Sequence, residues 1–156
     1  MSTKKRYYLA GPMTGIPQFN FPLFDRAATA LRARGIDVVS PAELDRPETR
    51  EAALKSPDGN PEHYGTDVKE TWGDFLARDV KIVADEVDGL VLLPGWDRSL
   101  GARLEAYVGL LGNKEFFEID DTMALVGLHP YEVAFAIANA TYDMVDARAA
   151  RRGYNG

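Results

Sequence analysis

Ser99, Gly101 and Glu105 lie within one short stretch, Pro94-Gly-Trp-Asp-Arg-Ser-Leu-Gly-Ala-Arg-Leu-Glu105, directly after an apolar run. Serine is a favoured helix N-cap, and a glycine in the first turn leaves the backbone open to close approach. Free amides and the positive end of the helix dipole then make a site for one phosphate or hydroxyl. Glu105 is one turn beyond Gly101 on the same face, so its carboxylate points back over the glycine. Leu104 beside it belongs to the core stripe, and the competing reading makes Ser99 a plain cap and Glu105 a solvated helix residue. Asp79 falls among Phe75, Leu76, Val80 and Ile82 with Arg78 adjacent. Carboxylates are seldom buried unless paired, so it is either a site group or half of a surface ion pair. Tyr8 either reaches the pocket or fills the core. Trp96 and Trp72 either stack on a base or pack a loop. His63 and His129 have no carboxylate spacing that reads as a metal site. Gly11, Pro12 and Gly15 make no dinucleotide fingerprint, and no phosphate loop with its lysine is present, so neither a metal nor a cofactor is expected.

The elements that must carry these residues follow from periodicity. Tyr7 to Ala10 reads as a strand ended by Gly11-Pro12, and Phe21 to Arg34 as a helix with apolar residues at 21, 24, 27, 28 and 31, capped by Gly35. Ile36 to Val39 is a second strand. Residues 44–68 are polar and broken by Pro47, Pro57, Gly59, Pro61 and Gly65, with one helical turn near Glu48 to Leu54; this reads as an insertion acting as a lid or mobile loop. A helix is expected over Lys69 to Asp85, and a central strand buried on both faces over Asp88 to Pro94. Ser99 to Gly112 is a helix whose core stripe is Leu100, Leu104, Val108 and Leu111. Glu115 to Ile119 is a fourth strand, and Pro130 to about Ala150 a C-terminal helix with Val133, Ile137, Ala140, Met144 and Val145 at helical spacing. Strands alternating with helices predict one α/β domain, a Rossmann-like open parallel sheet of four to five strands flanked by helices. Ligands of such sheets bind at the carboxyl ends of the strands, here the loops at Gly11 to Asn20, from Pro41 onward, and Pro94 to Ser99.

The chain's 156 residues, 46% of them hydrophobic, suffice for one core without staples. It has no cysteine, which excludes disulfides, thiolate metal sites and a cysteine nucleophile and makes the cytoplasm the expected compartment. No signal peptide or membrane span is expected. A net charge of −6 argues against polymeric nucleic acid as the partner, though one phosphate at a helix start remains compatible with it.

Taken together, Tyr8-Leu-Ala-Gly-Pro-Met13, Arg78-Asp79, the strand Asp88 to Pro94 and Ser99-Leu-Gly-Ala-Arg-Leu-Glu105 resemble the nucleoside 2-deoxyribosyltransferase superfamily. The chain is most similar to its small phage and bacterial branch, with Leu-Pro-Gly-Trp before the active helix, over roughly residues 6 to 119. The resemblance implies that Glu105 is a nucleophile that attacks the anomeric carbon and expels the base. It implies that Asp79 orients the nucleophile and sugar hydroxyls or helps protonate the base, and that Tyr8 positions the glutamate. Gly11, Pro12, Met13, Trp96, Asp97, Ser99 and Gly101 are then the substrate-binding set, with base contacts from Met13, Trp96 and the insertion. Transferases acting on free nucleosides typically have aspartate six residues before the glutamate, whereas enzymes hydrolysing nucleoside 5′-monophosphates have serine; this chain has Ser99. Asp97, two residues away, is placed to swing into the same pocket. The first expectation is therefore hydrolysis of the N-glycosidic bond of a nucleoside 5′-monophosphate. The alternatives are base exchange between deoxynucleosides and a non-catalytic nucleotide-binding module. The resemblance also implies a homodimer or higher homo-oligomer in which a neighbouring subunit completes the pocket.

Overall fold

The structure is a computed structural model that describes residues 4–65 and 68–153. Five strands form one sheet in the order β2-β1-β3-β4-β5, and its mostly parallel pairing with helices on both faces is the α/β Rossmann-like class expected. The strands are β1 (Arg6–Ala10), β2 (Asp37–Val39), β3 (Gly89–Leu92), β4 (Glu115–Ile119) and β5 (Leu125–Leu128). The helices are α1 (Phe21–Ala33), α2 (Pro47–Lys55), α3 (Trp72–Asp85), α4 (Leu100–Leu111) and α5 (Pro130–Arg151). None of them is long and apolar enough to cross a membrane.

The period of two along the strands divides the core between the two faces of the sheet. Leu9, Val91 and Leu93 face Phe21, Phe24, Ala28 and Leu31 of α1 and Ala53 of α2. Tyr8, Ala10, Leu90 and Leu92 face Ile82 and Val83 of α3, Ala102 and Ala106 of α4, and Val133 of α5. β3 is buried along its whole length, as its unbroken apolar run requires.

Several expectations are corrected. The sheet is not wholly parallel: Asp120 accepts hydrogen bonds from the Thr122 and Ala124 amides and turns the chain, so β5 returns antiparallel to β4. Residues 44–68 are more ordered than an insertion lacking regular structure, because α2 spans nine of them and buries Thr49 and Ala53. The Gln18 amide donates to the Ser56 carbonyl and the Gly15 amide to that of Gly59, tying this stretch to the loop after β1; Thr66 and Asp67 lie outside the described residues. The helix expected from Lys69 begins at Trp72, where Thr71 and Asp74 form a reciprocal capping box. Trp72 is itself 60% exposed.

The largest correction concerns α4. Its buried residues are Ala102, Arg103, Glu105, Ala106 and Gly109, while Leu100, Leu104 and Leu111, expected in the core, are exposed. The cause is close approach. A Cβ on Gly109 would come within 2.6 Å of Leu90 Cδ1 and 3.0 Å of Phe116 Cζ, so only a stripe of small residues lets the helix settle on the sheet. That tight seat carries Glu105 down to β1.

Candidate active site

One strand, β1, and two helices, α3 and α4, supply the buried polar residues of the site. Tyr8, fully buried in β1, donates its hydroxyl to Glu105 Oε1 of α4 at 3.1 Å. Tyr8 is thus a core residue whose hydroxyl also reaches Glu105, so the two readings of it are not exclusive. Asp79 of α3 and Glu105 are each more than nine-tenths buried, at 8% and 7% exposure. Asp79 is paired, with Arg78 Nε 2.7 Å from its Oδ1, so it is not a solvated surface residue.

Burial pushes the Glu105 carboxyl well above the usual carboxylate range, and the nearby Asp79 charge pushes it the same way; Tyr8 and Arg78 pull it back. Burial also raises Asp79, against the pull of Arg78 and Tyr8. The Tyr8 phenol is raised well above its ordinary value, first by burial and then by Glu105 and Asp79, and so remains a hydrogen-bond donor. Two buried carboxylates close to one phenol and one guanidinium titrate as a coupled pair, and burial favours the protonated form of each. Carboxyls raised in this way are candidates for acid–base work on a leaving group.

The helix start expected at Ser99 is present. Ser99 caps α4, its Oγ accepting from the Ala102 amide at 3.2 Å, which leaves the hydroxyl hydrogen free to donate. A Cβ added at Gly101 would meet nothing within 4 Å, so packing does not demand a glycine there. Gly11 is explained otherwise: its Cβ would fall 2.9 Å from that of Leu93, and the absent side chain lets the end of β1 lie against the end of β3. Gly95, at φ +83°, turns the chain after β3 and lies beside Pro12. Asn20 Nδ2 donates to the Pro12 carbonyl at 2.9 Å and fixes the loop after β1. Met13 packs partly buried against the α1 face of the core, and Trp96 against the opposite face.

A concavity of about 230 Å³ lies where β3 and β4 end, lined by Leu92 to Asp97 with Glu118 and Ile119, so Trp96 and Asp97 share one recess. Another, of about 440 Å³, lies behind α2 between Glu48 and Gly65. Neither is lined by Tyr8, Asp79 or Glu105. The carboxylate pair is buried in this structure.

Sequence reasoning missed Asp45, whose carboxylate is 2.7 Å from Arg78 Nη1 and whose side chain is 8% exposed. Burial raises its carboxyl while Arg78 lowers it. It also missed Ser40, at the end of β2, whose Oγ is the one fully buried side-chain polar atom without a partner among the described residues. The only local signal for either was its position at the carboxyl edge of the sheet. No group of metal-ligating side chains occurs among the described residues.

Residues 5–58, about a third of the chain, match a family model described as a domain of unknown function, DUF4406. The match includes Tyr8, the loop from Gly11 and Asp45, and stops before Asp79, Ser99 and Glu105. No curated protein matches the chain.

Proposed function

We propose that this protein is an N-glycosidase of the nucleoside deoxyribosyltransferase type, cleaving base from nucleoside 5′-monophosphates through Glu105. The observation that carries the reading is the buried Glu105–Asp79 pair, with Tyr8 on the glutamate, and a serine and an open glycine at the start of the helix that bears Glu105. A Glu105 oxygen forms a bond to the anomeric carbon while the C–N bond breaks and its electron pair leaves with the base. The proton of Asp79 passes to a nitrogen of that base. Water then attacks the anomeric carbon, its proton returns to Asp79, and the Glu105 carboxylate and a sugar 5-phosphate are released. The phosphate is held by the amides at the start of α4 and by the Ser99 hydroxyl.

Incubation with a panel of nucleosides and their 5′-monophosphates, with and without a second free base, tests the reading by chromatography. Base released from monophosphates alone is the expected result. A new nucleoside formed only with acceptor base identifies a transferase. Binding detected by calorimetry without turnover identifies a nucleotide-binding module.

Gly101→Ala separates ligand space from packing space. The alanine stabilises the exposed start of α4, by up to about 1 kcal/mol in a helix interior and less at its first turn, so Tm does not fall. The same methyl stands where the phosphate approaches, so kcat/KM for monophosphates falls about tenfold, some 1.4 kcal/mol. Unchanged kcat/KM places the phosphate elsewhere.

The partner we propose is a second copy of the chain. The only charged residues of α4, Arg103 and Glu105, are both buried, so its outer face carries no charge. That face shows Leu100, Leu104, Tyr107 and Leu111, spaced four, three and four residues apart, as in a seam that packs against another helix. Neighbouring α5 repeats the spacing with Tyr131, Phe135, Ala138, Tyr142 and Val145, and buries only Val133 completely. At about 150–250 Å² for each large side chain the exposed parts come to roughly 900 Å², against the about 800 Å² per partner of a standard interface. Light scattering after size exclusion is expected to give a dimer for the parent chain and a monomer for Leu104→Lys/Tyr107→Lys. A monomeric parent chain at tens of micromolar overturns the pairing.

A further inference from the structure

We propose that Asp45 and Arg78 are a positioning pair that decides which carboxylate of the site holds the proton, Asp45 sharing the cation so that Asp79 remains able to protonate the leaving base. This deepens the glycosidase reading and rests on it.

The geometry is specific. Adjacent residues on a helix do not face each other, yet Arg78 Nε lies 2.7 Å from Asp79 Oδ1. The guanidinium is folded back, its Cζ 5.6 Å from the centre of the Phe75 ring, and is drawn in the other direction by Asp45 at 2.7 Å from Nη1. One cation thus serves two carboxylates through different nitrogens. Asp45 is held in place from outside the site. Its neighbour Arg46 binds both carboxylate oxygens of Glu70, at 2.7 and 3.2 Å, and Thr49 donates to the same group at 3.0 Å. The stretch leading into α2 is therefore fastened to the approach to α3, and Asp45 reaches Arg78 across that seam.

The charges facing Asp79 are Tyr8 from β1, Glu105 from α4, Arg78 from its own helix and, through Arg78, Asp45; Asp45 in turn faces Glu70 and Tyr64. An undivided guanidinium would lower Asp79 by about 1–3 pH units and keep it ionised, useless as a proton donor. With no guanidinium, Asp79 and Glu105 would repel each other in a buried site, and the nucleophile would compete for the same proton. A guanidinium shared with Asp45 sits between these limits. Burial still raises Asp79, while its hydrogen bonds to Asp79 and Asp45 hold Arg78 charged in spite of its own burial.

The pair makes the two substitutions act in opposite directions, which a merely structural role would not. Two readouts are used: the pH profile of kcat/KM on a monophosphate, and the titration of the Asp79 carboxyl carbon by NMR in the unliganded protein. Asp45→Asn gives the whole cation to Asp79 and is expected to move the alkaline limb and the Asp79 midpoint down by about one pH unit. Arg78→Met is expected to move both up, and Arg78→Lys, which keeps the charge, to move them less. If the near-isosteric Asp45→Asn leaves the limb and the midpoint where they were, or if both variants shift them the same way, the proposal is overturned. No base release by the parent protein overturns the glycosidase reading by itself, because the NMR midpoints still decide for or against the pair.

Discussion

Glu105→Gln is expected to abolish base release, lowering turnover by about 10⁴–10⁶-fold as loss of a nucleophile does, and also to make the protein harder to unfold at neutral pH. Both effects have one cause. Glu105 is held in a buried site beside Asp79, and its carboxyl is raised by burial above its unfolded value. Between those two values the folded protein binds the proton that the unfolded chain has released, so stability falls as pH rises through that window. Above the folded value the full cost of a buried charge is present. Glutamine keeps the shape and a partner for the Tyr8 hydroxyl while removing that charge, for a gain of about 1–2 kcal/mol at neutral pH, or roughly 2–8 °C in Tm. Calorimetry across pH checks the sign: the advantage of the variant grows from about pH 4 upward and disappears below it. Retained turnover sinks the mechanism, and an advantage equal at every pH sinks the electrostatic account.

Ser99→Asp carries the second large effect. Aspartate is as good an N-cap as serine, so the bond from the Ala102 amide and the start of α4 are preserved. The new carboxylate stands where the reading places a phosphate. A unit charge pair about 4 Å apart at a protein surface costs up to about 4 kcal/mol, which lowers kcat/KM for monophosphates about 10²–10³-fold. Free nucleosides lack the phosphate and are expected to change less than about threefold, since no charge opposes the new one. Steady-state kinetics on a nucleoside and its own 5′-monophosphate makes the comparison. Equal losses on both would mean that Ser99 does not face the phosphate.

The features read from sequence were those fixed locally. The β3 run of apolar residues and the 3.6-residue period of α1 each specify an element without reference to anything distant, and order along the chain puts Tyr8 on the first strand, Asp79 on the helix before the central strand and Glu105 on the helix after it. What sequence did not reveal depends on contacts across the fold. The outward turn of Leu104 follows from the close seat of α4, where Gly109 lies against Leu90 and Phe116 and Ala102 and Ala106 share the buried face. Asp45 is 33 residues from Arg78 in a polar stretch, where no periodicity names a partner. β5 is four residues long and none of them is fully buried, so it lacks the alternation that marks a half-buried strand.

The two edges of the sheet bear on how this chain can assemble. β2 contributes only three paired residues at one edge, and β5, short and reversed, closes the other. Neither offers the long flat ladder from which strand-by-strand growth proceeds. Polymerisation through the sheet is therefore blunted at both ends, and most of the exposed large apolar side chains among the described residues lie on two helices, α4 and α5. A patch that meets its own copy about a twofold axis is used up by that single encounter. With the helix pairing proposed above, an assembly that stops at a finite size is expected rather than one that extends into a fibre.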